Sequence, residues 1–216
     1  MTTITESTQS ADCAPNEGLP PRLSAALKEW AVAIRALREG RQILLLRKGG
    51  IREEGGEFEV QTRDVLLFPT YEHQMEQAGM LQPCYGAWLQ DEQRRKPTEG
   101  NVRLDIWARI TDILIVRNFD ALYTLKSQHI YDDSLLKFRT ENEPHKPLYA
   151  LFLRAYELPA SITLPMEMDY YGCKSWISLT EPVETGDAKP VLSDHTYSER
   201  VRVTRRLLEG DTAHAV

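Results

Sequence analysis

The sequence offers little that could anchor a disulfide framework, a metal centre or a membrane span. Only three cysteines occur, Cys13, Cys84 and Cys173. They lie far apart and without paired spacing, which fits a reducing, cytoplasmic setting better than a cross-linked scaffold. His73, His129, His145, His195 and His214 stand away from one another and from the cysteines, so no zinc-type ligand spacing appears. There is no Walker loop, no dinucleotide fingerprint and no serine nucleophile elbow, and no cofactor is expected. The longest strictly apolar runs, such as Ile43 to Leu46, fall far short of the ~20 residues a membrane helix needs. Met1 to Ser10 has neither a basic start nor an apolar stretch, so no secretion signal is expected.

The composition is 42% apolar and 27% charged over 216 residues. That suits one globular domain with a real core. Residues 1–21 are polar and proline-bearing, and read as a disordered tail. A single domain is expected over 22–182, followed at 183–216 by a loop and a C-terminal amphipathic helix. Leu23, Leu27, Trp30, Ile34 and Leu37 step by four, three, four and three, which predicts one helix capped by Gly40. Ile43 to Leu46 reads as a strand buried on both faces. Strands are also expected at Phe58 and Val60, at Val65 to Phe68 (stopped by Pro69), at Val102 to Ile106, at Ile113 to Val116, at Leu148 to Tyr156, and around Ile162, Leu164 and Trp176 to Leu179. Short helices fit 119–126 and 131–139, and a last helix runs from about Asp194 to Leu208. Residues 82–101 and 181–191 read as exposed loops. Strands do not alternate regularly with long helices, so the expected class is α+β: a mixed, partly closed β-barrel with flanking helices.

Charge is unevenly spread. The net formal charge is -6, yet Arg22 to Arg52 holds eight lysines or arginines against two glutamates. Such a segment can meet phosphates, or it can be a solvated helix face balanced by Glu53, Glu54, Glu57 and Glu59. Thr70-Tyr71-Glu72-His73-Gln74 follows a strand end, where binding groups collect, and its side chains could stack on and read a base. The same residues could open a helix capped by Thr70. In Tyr170-Tyr171-Gly172-Cys173-Lys174-Ser175-Trp176, Lys174, Ser175 and Trp176 could clamp a nucleotide, or Trp176 could belong to the core. Arg154 closes the apolar run Leu148 to Leu153, and an arginine on a buried strand needs a carboxylate or a ligand. The one acidic-x-Lys match of the restriction-nuclease kind, Asp187-Ala188-Lys189, sits beside Pro190 in an expected loop.

Ala26-Leu27-Lys28-Glu29-Trp30, Gly40-Arg41-Gln42-Ile43-Leu44-Leu45-Leu46-Arg47-Lys48-Gly49-Gly50-Ile51 with Glu54-Gly55-Gly56, Leu67-Phe68-Pro69-Thr70-Tyr71-Glu72-His73-Gln74, and Tyr171-Gly172-Cys173-Lys174-Ser175-Trp176 carry a resemblance. Over roughly residues 24–180 the chain resembles an uncharacterised prokaryotic family, domain of unknown function 1802. The family's association with a restriction-endonuclease domain implies a setting near restriction-modification. A more distant resemblance is to the PUA-like superfamily, in its ASCH and EVE branches, whose members bind RNA or modified bases in a pocket on a small β-barrel. The ASCH pattern runs Gly-x-Lys-x-x-Glu-x-Arg after a helix. Gly40 and Arg47 match it, while Gln42 and Leu45 replace its lysine and glutamate.

The leading reading is a non-enzymatic nucleic-acid or modified-base binding module with DNA or RNA as partner. Arg47 and Lys48 would contact phosphates, Tyr71 and Trp176 would stack, and His73 and Gln74 would read base edges. Thr70, Arg154, Lys174 and Ser175 complete the expected site. A nucleotide-acting hydrolase or nuclease using Glu53, Glu54, Glu72 and His73 is the alternative. A protein-interaction module docking through Arg200, Arg202, Arg205 and Arg206 is the third.

Overall fold

A computed structural model describes residues 18–48, 61–71, 78–142 and 144–209. Residues 1–17 of the tail expected over 1–21, and the strand expected at Phe58 and Val60, lie outside the described residues. The chain forms β1 (Arg22–Trp30), α1 (Ala31–Arg38), β2 (Leu44–Lys48), β3 (Asp64–Thr70), α2 (Gly86–Arg95), β4 (Asn101–Ile115), α3 (Asp120–Thr124), α4 (Asp133–Glu141), β5 (Leu148–Pro165), β6 (Trp176–Glu184), β7 (Lys189–Pro190) and α5 (Asp194–Glu209). The strands make one mixed sheet in the order β2-β5-β4-β3-β1-β6, with β7 paired to β5. β1 and β3 are parallel and the other pairs antiparallel. This is the expected mixed α+β class, and the sheet does not close.

Four local expectations need correction. The stretch expected as one helix from Leu23 is β1 up to Trp30 and helical only from Ala31. Leu23 and Leu27 also suit a strand, and here β1 is sandwiched between β3 and β6, with Ala26 and Leu27 buried on opposite faces in separate clusters. Sheet pairing on both sides outweighs intrinsic helix preference. Second, β3 runs through Pro69, which lies opposite Glu29 of β1. The pairing of β3 to β4 ends at Leu66, and a proline is tolerated where one side of a strand has no ladder partner. Third, the expected loop at 82–101 contains α2, which buries Leu89 and Glu92. Fourth, much of 181–191 is strand, in β6 and β7.

The expected strand pieces in 102–116 merge into the single 15-residue β4, and those in 148–164 into the 18-residue β5, joined to each other through two register shifts. Such bulges bend a strand pair and raise its twist. One core cluster gathers Leu44, Leu45, Ile106, Ile110 and Phe152 with Val32 and Leu37 of α1, Leu136 of α4 and Leu208 of α5. A second cluster packs Leu66, Phe68, Leu104, Trp107 and Leu179, with Trp107 stacked on Tyr156 at 4.2 Å between ring centroids.

α1 ends as the sequence suggests. Gly40 takes φ +62°, its N–H donates to Leu37 O at 3.1 Å, and the Arg41 N–H donates to Ala36 O at 2.8 Å. That pair of bonds is the Schellman closure, which needs a left-handed residue. A Cβ on Gly40 would also come within 2.8 Å of Leu192 Cδ2. Gly40→Ala is therefore expected to destabilise the fold by about 1–2 kcal/mol, read as a lower urea midpoint at unchanged slope. A midpoint equal to that of the unsubstituted protein would show that this closure contributes nothing.

Candidate functional site at the end of β1

β1 places Trp30 beside Thr70 of β3 and Leu27 beside Trp176 of β6. The C-terminal ends of β1 and β3 and the start of β6 therefore meet at one end of the sheet. Arg47 reaches the same place from β2, the opposite edge strand. Its Nη2 donates to Lys28 O at 2.6 Å and pairs with Glu29 Oε2 at 2.9 Å. On a flat sheet four strand spacings, roughly 19 Å, would separate β2 from β1, well beyond an arginine side chain. The sheet thus curls until its two ends nearly face each other, and Arg47 spans the open seam.

The seam is polar inside. The Arg47 and Glu29 side chains are only 15% and 12% exposed. Glu29 Oε1 accepts the Trp30 N–H at 2.8 Å. Arg47 Nε is buried with no hydrogen-bond partner. Facing these groups is Arg139, in the last turn of α4. Burial depresses the Arg139 pKa, the opposing Arg47 charge depresses it further, and Glu29 and Tyr131 act the other way. Among the described residues Arg139 makes no ion pair. Arg139 thus senses the charges of the Arg47–Glu29 pair without bonding to either.

Tyr131 forms the floor. Its hydroxyl accepts from Gln42 Nε2 at 3.0 Å, and Gln42 Oε1 accepts the Ile130 N–H at 3.1 Å. The Tyr131 N–H donates to His129 Nδ1 at 3.2 Å, so the His129 proton must sit on Nε2, which donates to Leu122 O at 2.9 Å. Burial holds the His129 pKa below its ordinary value, and the neutral ring acts as a fixed support. Burial, then the Glu29 charge, raises the Tyr131 pKa, so the phenol stays protonated.

The other expected residues divide. Thr70 Oγ1 donates to Glu29 O at 3.1 Å, and the Lys28 N–H donates to Ser175 O at 2.9 Å, so both belong to this end. Lys28 Nζ donates to Tyr170 O and Gly172 O, each at 2.8 Å, pinning the segment that carries Lys174. Lys174 is exposed, and its amine donates to Asp169 O at 3.3 Å. Lys48 Nζ donates to Asn142 O. Trp176 is 8% exposed and packs with the larger core cluster, which leaves little ring face for stacking. Tyr71 is half-buried, with Lys96 Nζ 5.6 Å from its ring centroid. Its pKa is pushed up to about 12 by burial and then by Glu92.

Arg154 does not join them. It lies opposite Arg109, which itself lies opposite Asp64 at the start of β3, six residues or roughly 20 Å from Thr70. It pairs with Asp194, and its guanidinium lies over Tyr156 and Tyr197, so its partner is a structural carboxylate. His73 and Gln74 lie outside the described residues, as do Glu53, Glu54 and Glu72 of the alternative catalytic set. Asp187 is in the turn before β7 and Lys189 within it. On α5, Arg200 donates to Gln128, Gly40 O and Arg41 O, Arg202 pairs with Glu199, and Arg205 pairs with Asp112 and Glu209. Three of the four cations expected to dock a partner are thus already engaged.

Sequence reasoning missed Glu29 and Arg139. A signal for Arg139 existed, because it follows Leu135 by four and Leu136 by three, the spacing of the buried face of α4. The neighbouring Phe138 is 49% exposed.

Among the described residues no helix is long and apolar enough to cross a membrane. No curated protein matches the chain. Among solved structures, the chain is similar to the ASCH protein of Zymomonas mobilis at 11% identity and a TM-score of 0.40, covering 73% of this chain and 87% of that one. A single-substitution mutant of the same protein matches at 10% identity and a TM-score of 0.39, covering 86% of this chain and 99% of that one. The model of the family described as domain of unknown function (DUF1802) matches residues 26–203, most of the chain, and the protein therefore belongs to that family.

Proposed function

We propose that this protein is a nucleic-acid or modified-base binding module that holds an anionic group of its ligand, a phosphate, at the seam between β2 and β1. The observation that carries this reading is the Arg47–Glu29–Arg139 cluster. One carboxylate cannot neutralise two partly buried guanidiniums, and a buried charge without a counter-charge is costly. A phosphate would supply the missing charge and accept from the free Arg47 Nε and from Arg139. Tyr71, Thr70, Lys174 and Ser175 stand round the same end and would meet the rest of the nucleotide, with Trp176 as a wall. A role beside restriction-modification systems is a further expectation, resting on the family resemblance.

The test is fluorescence anisotropy with labelled single- and double-stranded DNA and RNA, with and without modified bases, at two salt concentrations. The expected result is binding that weakens as salt rises and prefers one strand type or modification. Absence of binding to every probe at low salt would remove the reading.

A further inference from the structure

A second polar site adjoins the seam on the α1 side. A groove of about 400 Å³ opens between α1, the end of α2 and the β4–β5 pair, lined by Arg38, Arg95, Asp105, Glu157 and Ser161. Beneath it lies a water-sized pocket reached by Tyr71, Glu92, Arg35 and Arg103. Tyr71 directly follows Thr70 of the seam, so groove and seam are neighbours along the rim of the sheet.

The charges in the groove are unequally engaged. Asp105 is saturated, accepting from Arg38 at 2.9 Å, Arg103 at 3.2 Å and Ser161 at 2.5 Å. Arg95 is different. Its side chain is 44% exposed, and its ion pair is to Glu92 at 3.8 Å, too long for a hydrogen bond. Glu92 is 5% exposed, lies 3.6 Å from Arg35, and has Oε1 without any hydrogen-bond partner. Burial raises the Glu92 pKa despite the arginines around it. The groove therefore presents a cation that is free to turn outward, restrained only by a loose pairing to a buried carboxylate.

We infer that this groove takes a phosphodiester of a bound nucleic-acid strand, with Arg95 as its contact and Glu92 as the competing anion that limits its affinity. The inference rests on the nucleic-acid reading above. The volume suits one nucleotide unit, being within the range of small-ligand sites. An anion at Arg95 gains the hydrogen bonds that the 3.8 Å pair lacks. Arg38 at the groove wall is held by Asp105 at 2.9 Å, and Glu39 and Glu157 also line the groove, so Arg95 is the lining cation left to meet an anion.

Salt titrations of labelled single-stranded DNA and RNA oligonucleotides against Arg95→Ala, Glu92→Gln and Arg139→Met test this. Arg95→Ala is expected to weaken binding by about three- to tenfold and to flatten the log–log salt dependence by about 0.7, the loss of one phosphate contact. Glu92→Gln keeps the side-chain shape, removes the competing charge, and is expected to tighten binding several-fold. If the pair were merely structural, both variants would leave affinity unchanged or weaken it together, and either outcome overturns the groove assignment. If Arg139→Met loses binding while Arg95→Ala does not, the seam reading stands and the groove fails. If Arg95→Ala weakens binding while Arg139→Met does not, the groove stands and the seam reading fails.

Discussion

Glu29→Ala is expected to destabilise the protein by about 3–5 kcal/mol, the cost typical of removing one partner of a buried ion pair. The Glu29 carboxylate does three things at once. It pairs with Arg47 at 2.9 Å, accepts the Trp30 N–H at 2.8 Å, and is the counter-charge that raises the Arg139 pKa. Its loss leaves two guanidiniums facing each other across the seam with no carboxylate between them. The Coulomb gain of one exposed ion pair, at most about 1 kcal/mol, would not account for a loss of that size. Replacing Glu29, Arg47 and Arg139 together by methionine is expected to recover most of the stability, because an apolar cluster of similar volume needs no counter-charge. Urea unfolding of the three proteins measures this. A loss below about 1 kcal/mol in Glu29→Ala would mean that water reaches the seam freely and that the cluster is not buried in solution.

Arg139→Met is expected to act in the opposite sense on the two observables. Binding of the nucleic-acid probe should fall ten- to a hundredfold, the loss of hydrogen bonds to a charged group worth about 1.5–3 kcal/mol. Stability should stay level or rise, because the substitution removes a desolvated cation repelled by Arg47 and keeps most of the side-chain volume. That combination separates a binding arginine from a structural one, whose removal costs stability. Affinity within twofold of the unsubstituted protein would place the ligand elsewhere. The same substitution made in the Glu29→Ala background should restore part of the lost stability, since one of the two unbalanced charges is then gone. A double-mutant cycle with no coupling would show that Arg139 and Glu29 do not sense each other.

Several elements could be read along the chain because their signal is local. The run Ile43 to Leu46 is buried throughout and β2 follows from it. The helix expected from about Asp194 is α5, and the left-handed cap expected at Gly40 is present. Leu23 to Trp30 misled because leucines at a spacing of four fit a helical stripe and an every-second-residue strand alike. Only the neighbours β3 and β6, contributed by residues ~40 and ~150 positions away along the chain, select the strand. α2 escaped notice because one of the two residues it buries is charged. Glu92 looks like solvent-facing sequence until Arg35 of α1 and Arg95 are seen around it.

The sequence by itself determined the mixed α+β class, the apolar strands of the sheet, the capped end of α1, and Arg47 as a cation placed at a strand end. It also carried the motifs of the family. What only the tertiary structure decided is which charges meet. Hydrophobic period reports whether a residue faces in or out, since that depends on the residue's own element. An ion pair between β2 and β1 depends on how far an intervening sheet curls, a property summed over every strand between them. Arg47 was therefore visible as a charge, while its carboxylate Glu29 came from the bend of the sheet, its rival Arg139 from the packing of α4, and the separation of Arg154 from the register of β3, β4 and β5.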